Sequence, residues 1–120
     1  MAKILIIDDE EILRQLMDHV LSADGHDTIT APDGEAGVAL AKNDAPDLII
    51  TDMSMPKMTG WEMVAILKAD PVTKEIPIIA LTAHATADDR TAAFDAGISA
   101  YEEKPVDMAR VKKHIAELLS

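Results

Sequence analysis

Polar residues able to bind a metal ion or a phosphate group stand at the ends of four of the five strand-like runs in this sequence. Asp8-Asp9 follows the first run, Asp52 the third, Thr82 the fourth and Lys104 the fifth. If the runs lie parallel in one sheet, these side chains meet at its carboxyl edge, where open α/β sheets bind ligands. The spacing therefore predicts one shared site.

Three of these side chains are acids, and their chemistry suggests what they bind. Asp8, Asp9 and Asp52 would repel one another at close range, raise each other's pKa and weaken the fold unless something compensates. A hard divalent cation does so, and Mg²⁺ prefers one or two carboxylates together with waters and a substrate phosphate. The acids therefore predict a Mg²⁺ site that also meets a phosphoryl group.

The remaining residues suit the phosphoryl group itself. Lys104 brings a positive charge with three N–H donors, and Thr82 brings a hydroxyl. Asp52 is the central carboxylate and the natural nucleophile, because carboxylates form aspartyl-phosphate intermediates. The expected chemistry is an in-line phosphoryl transfer to Asp52, assisted by positioning and by charge stabilisation.

Helices are predicted between the runs from apolar spacing and from capping residues. Thr59 and Thr86 each precede an acid by three residues, as in a capping box, and Asp33 and Asp107 are further good N-caps. Gly37, inside the second helix, costs roughly 0.5 to 1 kcal/mol relative to Ala. In the first helix one apolar stripe recurs at helical spacing, formed by Leu13, Leu16, Met17, Val20 and Leu21.

The alternation of helices and strands predicts an α/β fold with a parallel sheet. Runs one, three and four are almost entirely apolar, as strands covered on both faces must be, whereas runs two and five carry polar residues and belong at the edges. With right-handed crossovers this favours a flavodoxin-like doubly wound sheet of five parallel strands, order 2-1-3-4-5, with five helices. Its switch point lies between strands one and three.

Composition narrows the class of partner. The 120 residues suit a single domain over residues 1–120, and the formal charge of −11 argues against nucleic acids and anionic membranes as partners. There is no Cys, which excludes disulfides and thiolate metal sites. The first apolar run is too short for a signal peptide or a membrane span. We therefore expect a soluble cytoplasmic protein.

Taken together, the motifs resemble those of the response-regulator receiver domains of two-component signalling, in their stand-alone single-domain form. The resemblance spans the whole chain, and the joint spacing of its elements is highly specific. The matching elements are Asp8-Asp9, residues 52–56 with Gly60, residues 77–83, Ala96-Gly97, Tyr101 and Lys104-Pro105.

The resemblance implies a role for each acid. Asp52 would be the phosphoacceptor, phosphorylated by a histidine kinase or a histidine phosphotransfer protein that carries phosphohistidine. Asp9 and Asp52 would bind Mg²⁺ directly together with the backbone carbonyl of Ser54, and Asp8 would act largely through a bound water.

The resemblance also implies a readout. Lys104 would pair with the phosphoryl group, Thr82 would move to bond it, and Tyr101 would swing inward to fill the space vacated. That motion would remodel the surface of helix four, strand five and helix five for a downstream protein target. The Lys104-Pro105 peptide bond is a candidate for the cis form.

Several of these residues have simpler interpretations when taken alone. Asp8-Asp9 could cap a helix, and Tyr101 could be a half-buried edge-strand aromatic with its hydroxyl in water. His84 could influence the site or be a solvated loop residue. Ile12 could lie exposed at the mouth of the site, where by resemblance a partner helix docks, or could belong to a wide core stripe.

Three functions are compatible with these motifs. The first is a phosphorylation switch that is not a turnover enzyme and has no effector domain of its own, or the same module cut from a larger kinase or regulator. The second is a phosphatase of the haloacid-dehalogenase type, which needs a second acid where this chain has Ser54. The third is a phosphorylation-independent pseudo-receiver, although such modules usually lose an acid or the lysine.

Overall fold

The computed structural model describes residues 2–83 and 86–120, in which five parallel strands alternate with five helices. The strands pair in the order β2-β1-β3-β4-β5, as the sequence predicts. The strands are β1 (Lys3–Ile7), β2 (Asp27–Ala31), β3 (Leu48–Asp52), β4 (Ile78–Thr82) and β5 (Ala100–Glu103). The helices are α1 (Glu11–Ala23), α2 (Gly34–Asp44), α3 (Gly60–Ala69), α4 (Ala87–Ala96) and α5 (Met108–Leu119).

Helices cover both faces of the sheet, so the domain has two apolar cores. Because side chains alternate along a strand, β1 sends Leu5 and Ile7 to one core and Ile4 and Ile6 to the other. The first core is completed by α2, α3 and α4, and the second by α1 and α5. Strands β3 and β4 are buried along their whole length, which explains their continuous apolar sequence.

The predicted helix starts are confirmed by side-chain caps. Thr59 and Glu62 form a complete capping box at the start of α3. The side chains of Thr86, Asp33 and Asp107 each accept a hydrogen bond from a backbone N–H in the first turn of α4, α2 and α5. These caps satisfy N–H groups that would otherwise lack a partner at the helix ends.

Gly37 has a packing role that its helix propensity conceals. A Cβ atom at this position would lie 2.6 Å from Cδ1 of Ile7, far inside the contact distance. The glycine therefore allows α2 to approach β1 closely, which offsets its cost as a residue inside a helix.

The apolar stripe predicted for α1 is narrower than expected. Met17 and Leu21 are fully buried, but Leu16 is 50% exposed, and its neighbour Ile12 is 85% exposed. Successive residues of a helix point about 100° apart, so Leu16 is turned away from the face that carries Met17. The inclusion of Leu16 in the core was therefore wrong, and Ile12 does not belong to a wide core stripe. Within the part of the chain that the structure describes, no helix is long and apolar enough to cross a membrane.

Candidate functional site

The carboxyl edge of the sheet brings together three of the residues singled out by the sequence. Asp8 directly follows β1 and is completely buried, and Asp52 is the last residue of β3 and almost as deeply buried. Lys104, just after β5, places its Nζ atom 3.4 Å from Oδ2 of Asp52 and 3.6 Å from Oδ2 of Asp8. The site lies beside the switch point of the sheet, between β1 and β3, as predicted.

Backbone N–H groups orient both aspartates. Glu10 donates its backbone N–H to Oδ1 of Asp8 at 2.8 Å, and Ser54 donates its backbone N–H to Oδ1 of Asp52 at 3.1 Å. In both residues the Oδ2 atom is therefore the one turned toward Lys104. Among the described residues, Oδ2 of Asp8 is the buried side-chain oxygen that has no hydrogen-bond partner. A buried carboxylate oxygen in this state is costly unless a ligand completes its environment.

The first turn of α3 fixes the loop that follows Asp52. Gly60 donates its backbone N–H to the carbonyl oxygen of Met53 at 3.2 Å. A Cβ atom on Gly60 would lie 2.6 Å from Cα of Met53 and 2.7 Å from the carbonyl oxygen of Asp52. Since both of these are backbone atoms, only glycine allows the helix to pack so closely against the loop.

A backbone hydrogen bond also ties Lys104 to Thr82. The N–H of Lys104 donates to the carbonyl oxygen of Thr82 at 2.7 Å, just beyond the last paired residues of β4 and β5. The Lys104-Pro105 peptide bond is cis, as predicted. The two residues expected to contact a phosphoryl group are therefore held next to each other by the main chain.

Glu10 belongs to this site, although the sequence interpretation did not include it. Nζ of Lys104 donates a hydrogen bond of 2.7 Å to Oε2 of Glu10, its shortest contact with an acid. Oxygens of Asp8, Glu10 and Asp52 all lie within 4.8 Å of one another. The signal available in the sequence was the unbroken acidic run from Asp8 to Glu11, but nothing in that run indicates that its third member reaches Lys104.

Asp9 is placed differently from Asp8. Its side chain is exposed, and within the described chain the compact group of carboxylates is formed by Asp8, Glu10 and Asp52. Burial is the main reason that the pKa of Asp52 is raised, and the neighbouring side chain of Asp9 raises it further. Asp9 therefore lies close enough to influence Asp52, and its direct role in metal binding stays a prediction.

Burial also changes the acid strength of the other two groups. It raises the pKa of Asp8 from 3.8 to about 6, against the opposing effects of the Glu10 N–H and of Lys104. For Lys104, burial alone would lower the pKa, but the hydrogen bond to Glu10 and the charges of Asp8 and Asp52 together raise it. The lysine is thus held in its charged form, whereas burial makes the charged form of each aspartate less favourable than it would be in water.

Thr82 and Tyr101 belong to β4 and β5, which lie on the side of β3 opposite to β1 and Asp8. Thr82 ends β4, and both residues are buried. The guanidinium carbon of Arg90 lies 5.3 Å from the centre of the Tyr101 ring. A cavity of about 180 Å³ is lined by Met53, Ser54, Trp61, Thr82, Asp89 and Tyr101. The interpretation of Tyr101 as a half-buried edge aromatic is therefore wrong, while its movement stays a prediction.

The interpretation of Asp8-Asp9 as a simple helix cap is also not supported. The N-cap position of α1 is occupied by Glu10, whose side chain makes no capping hydrogen bond. Asp8 instead accepts the Glu10 N–H while its other oxygen faces the site. His84, for which two interpretations were open, lies outside the described residues.

The fold and the site together define a class of protein. An open, doubly wound α/β sheet with oxygen ligands and a lysine at its switch point is suited to a hard cation and a phosphoryl group. The sequence profile of the response regulator receiver domain matches residues 4–116. The chain therefore belongs to the response-regulator receiver family.

Individual relatives agree with this assignment. The chain is 38% identical over 106 residues to the response regulator PleD of Caulobacter vibrioides, covering 88% of this chain but only 23% of that protein. It is 33% identical over 116 residues to the polar-differentiation response regulator DivK of Brucella anthropi, covering 97% of this chain and 94% of DivK. The structure of the Vibrio cholerae chemotaxis protein CheY4 superimposes with a TM-score of 0.92 at 31% identity, covering 98% of both chains.

Membership of the family answers the broadest question about function. Receiver domains are signalling switches of two-component systems that respond to phosphorylation and are not turnover enzymes in the usual sense. Their acidic pocket binds Mg²⁺, and they interact with histidine kinases and with downstream targets. The sequence predictions of fold, of family and of this general role are thereby confirmed.

Proposed function

We propose that this chain is a switch in which Asp52 accepts a phosphoryl group from phosphohistidine of a histidine kinase or phosphotransfer protein. The observation that carries the proposal is the environment of Asp52. Its carboxylate is buried, oriented by the Ser54 N–H at 3.1 Å and paired with the Lys104 ammonium at 3.4 Å. A carboxylate held in this way is an oriented nucleophile with a cation beside the position that the incoming charge will occupy.

The donor set fits Mg²⁺. Every candidate ligand is an oxygen, and Oδ2 of Asp8, which has no hydrogen-bond partner, supplies a buried acceptor directed at the site. The residues that would hold the ion are Asp8, Asp9 and Asp52, together with the backbone carbonyl of Ser54. When bound, Mg²⁺ supplies positive charge that allows three acids and a phosphoryl group to lie close together.

The transfer itself needs little from the chain beyond positioning. An oxygen of Asp52 forms a bond to phosphorus as the phosphorus–nitrogen bond of phosphohistidine breaks. The electron pair of the broken bond goes to the imidazole nitrogen. Lys104 then moves from the carboxylates to the new phosphoryl oxygens, with its backbone anchored to Thr82 by the hydrogen bond of 2.7 Å. The Thr82 hydroxyl is the second donor available on that side.

The proposed readout runs through β5. Thr82 and Tyr101 line the same small cavity, and the Tyr101 ring lies beneath Arg90 of α4. A displacement of Thr82 toward a phosphoryl group changes the space that Tyr101 fills, and Arg90 carries that change to the surface of α4, β5 and α5. Phe94, 50% exposed on α4, would be a contact for the downstream protein.

The partner that delivers the phosphoryl group is proposed to dock on α1. Ile12 and Leu16 are one helical turn apart and strongly exposed, and they adjoin Glu10 and Glu11 at the mouth of the site. Replacing Ile12 by Asp should slow phosphotransfer from a purified kinase about tenfold or more, since apolar anchors dominate such interfaces. The reaction with a small phosphodonor should be unchanged. Ile66→Asp, at an exposed apolar residue of α3, is the matched control and should leave both rates as they are.

Acetyl phosphate provides the direct test of the proposal. The protein is incubated with Mg²⁺ and acetyl phosphate, and the adduct is measured by intact-protein mass spectrometry. Wild type and Asp24→Asn, an acid at the other end of the sheet, should both gain one phosphoryl group, and Asp52→Asn should gain none. An unmodified wild-type protein would favour the pseudo-receiver, and rapid multiple turnover of a phosphomonoester would favour the phosphatase.

A further inference from the structure

The shortest contact of the Lys104 ammonium is with an acid at the rim of the site. Its Nζ atom lies 2.7 Å from Glu10, but 3.4 Å from Asp52 and 3.6 Å from Asp8. Only the contact with Glu10 has the length of a direct charge-assisted hydrogen bond. The ammonium is therefore nearest to the most solvent-exposed of its three acidic partners, and it stays within ion-pair distance of both aspartates.

On burial alone, the two aspartates should attract the Lys104 ammonium more strongly than Glu10 does. Both are buried, where charges interact strongly, whereas the Glu10 side chain is 60% exposed. The lysine side chain is only 18% exposed, so it lies in the same enclosed region as the aspartates. Without Glu10, the ammonium would be drawn onto Asp8 and Asp52 and would occupy the space that a cation needs.

We propose that Glu10 is a positioning residue that acts through Lys104, holding the ammonium closer to Glu10 than to the aspartates so that Asp8 and Asp52 stay accessible to Mg²⁺. Glu10 thereby reduces the competition between two cations for the same pair of carboxylates. The lysine remains within reach of Asp52 and is available when a phosphoryl group arrives. This inference rests on the proposed function, since it assigns Glu10 a part in the same Mg²⁺ site.

Two other roles for Glu10 make different predictions. As a direct ligand of Mg²⁺, it would matter equally with and without Lys104. As a purely structural ion pair, it would affect the stability of the fold but not the affinity for the ion. A double-mutant cycle separates these roles, because it measures whether the effect of one residue depends on the other.

The experiment measures Mg²⁺ affinity by isothermal titration calorimetry in wild type, Glu10→Gln, Lys104→Met and the double variant. Glu11→Gln is the matched control, because it removes the same charge from the adjacent residue, which contacts Gln15 and not Lys104. Glu10→Gln should raise the dissociation constant about two- to fivefold relative to Glu11→Gln, the range expected for a partly exposed ion pair. In the Lys104→Met background, the same change should have no more effect than Glu11→Gln.

The results distinguish failure of this inference from failure of the proposed function. A full loss of affinity on Glu10→Gln that persists without Lys104 would identify Glu10 as a ligand and overturn the inference. Equal affinities for Glu10→Gln and Glu11→Gln would also overturn it. In both cases wild type would still bind Mg²⁺ and form the acetyl phosphate adduct. If wild type shows neither Mg²⁺ binding nor an adduct, the proposed function fails and this inference fails with it.

Discussion

Within the described residues, both ends of the sheet carry acids and cations, but the carboxyl end also holds a buried carboxylate oxygen that has no hydrogen bond. At the amino end a cavity of about 570 Å³ is lined by residues that include Asp24, His26, Asp47 and Lys112. Each of these acids has a partner, since Lys112 pairs with Asp24 at 3.1 Å and the Lys3 N–H donates to Asp47 at 2.8 Å. At the carboxyl end, the buried Oδ2 atom of Asp8 has no hydrogen-bond partner.

This difference shows that the state of the polar groups marks the site in this protein. Both acids that line the amino-end cavity have partners, and the pair of Asp24 and Lys112 is solvent-exposed. Exposed pairs of this kind contribute little. At the carboxyl end the charged groups are buried. The pKa values of Asp8 and Asp52 are raised because burial disfavours their charged forms. Buried charge that is unfavourable to the fold therefore identifies the functional site here.

The largest expected effect comes from a comparison of two glycines, one near each end of the sheet. Gly60→Ala at the carboxyl end should destabilise the protein by about 3 kcal/mol or more, because its Cβ would meet backbone atoms at 2.6 and 2.7 Å. It should also slow the reaction with acetyl phosphate, since the displaced atoms carry Asp52. Gly25→Ala at the amino end meets no atom within 4 Å and should cost only the strain of φ +91°, about 1 to 2 kcal/mol. Urea denaturation measures both, and equal losses would contradict the contrast.

The next effect concerns the charge of Asp8. Its folded-state pKa of about 6 lies above its ordinary value of 3.8, so the folded state binds the proton more tightly. This contribution to stability is therefore present below about pH 4 and is lost as the pH rises through 6. In metal-free buffer at pH 7, Asp8→Asn should be more stable than wild type by about 2 to 3 kcal/mol, the free energy equivalent of the pKa difference.

The pH dependence provides the control for this prediction. The advantage of Asp8→Asn should shrink between pH 7 and pH 4, and added Mg²⁺ should reduce it at pH 7 by stabilising wild type. Asp24→Asn at the amino end should show no such gain. Thermal and urea unfolding across this pH range would refute the argument if Asp8→Asn were destabilised at pH 7 without metal.

The smallest effect should come from the ion pair at the amino end. Lys112→Gln removes the contact of 3.1 Å with Asp24, but both side chains are well exposed, so the loss should be under about 1 kcal/mol. Mg²⁺ affinity and adduct formation should be unchanged, because the pair lies at the opposite end of the sheet. Calorimetry and mass spectrometry on this variant check the point. A clear change in either would show that the two ends are coupled.

The sequence predicted the sheet and much of the site because both depend on local patterns. The order of the strands followed from which runs are apolar throughout, and the convergence of Asp8, Asp52 and Lys104 followed from their positions at the ends of those runs. Parallel pairing then brings the run ends to one edge without any knowledge of side-chain contacts.

The features that the sequence did not predict depend on contacts between distant residues. Glu10 and Lys104 are 94 positions apart, and only the folded chain shows that they share a hydrogen bond. From the sequence, Gly37 is only an unfavourable residue inside a helix. The structure explains it, because Ile7 packs too closely for a Cβ atom at this position. Leu16 has the right spacing for a core stripe, but the width of the covered face is set by how α1 lies on the sheet.

The pairing of β5 with β4 limits which insertions and deletions this domain can tolerate. In the observed register Tyr101 lies beside Ala80, and Glu103 lies beside Thr82. A slip of one residue would move Lys104 by about 3.3 Å along the sheet and turn Tyr101 to the face covered by α1 and α5. An insertion or deletion in this short edge strand would thus remove the cation and the aromatic residue from Asp52 in a single step, even if every residue involved were retained.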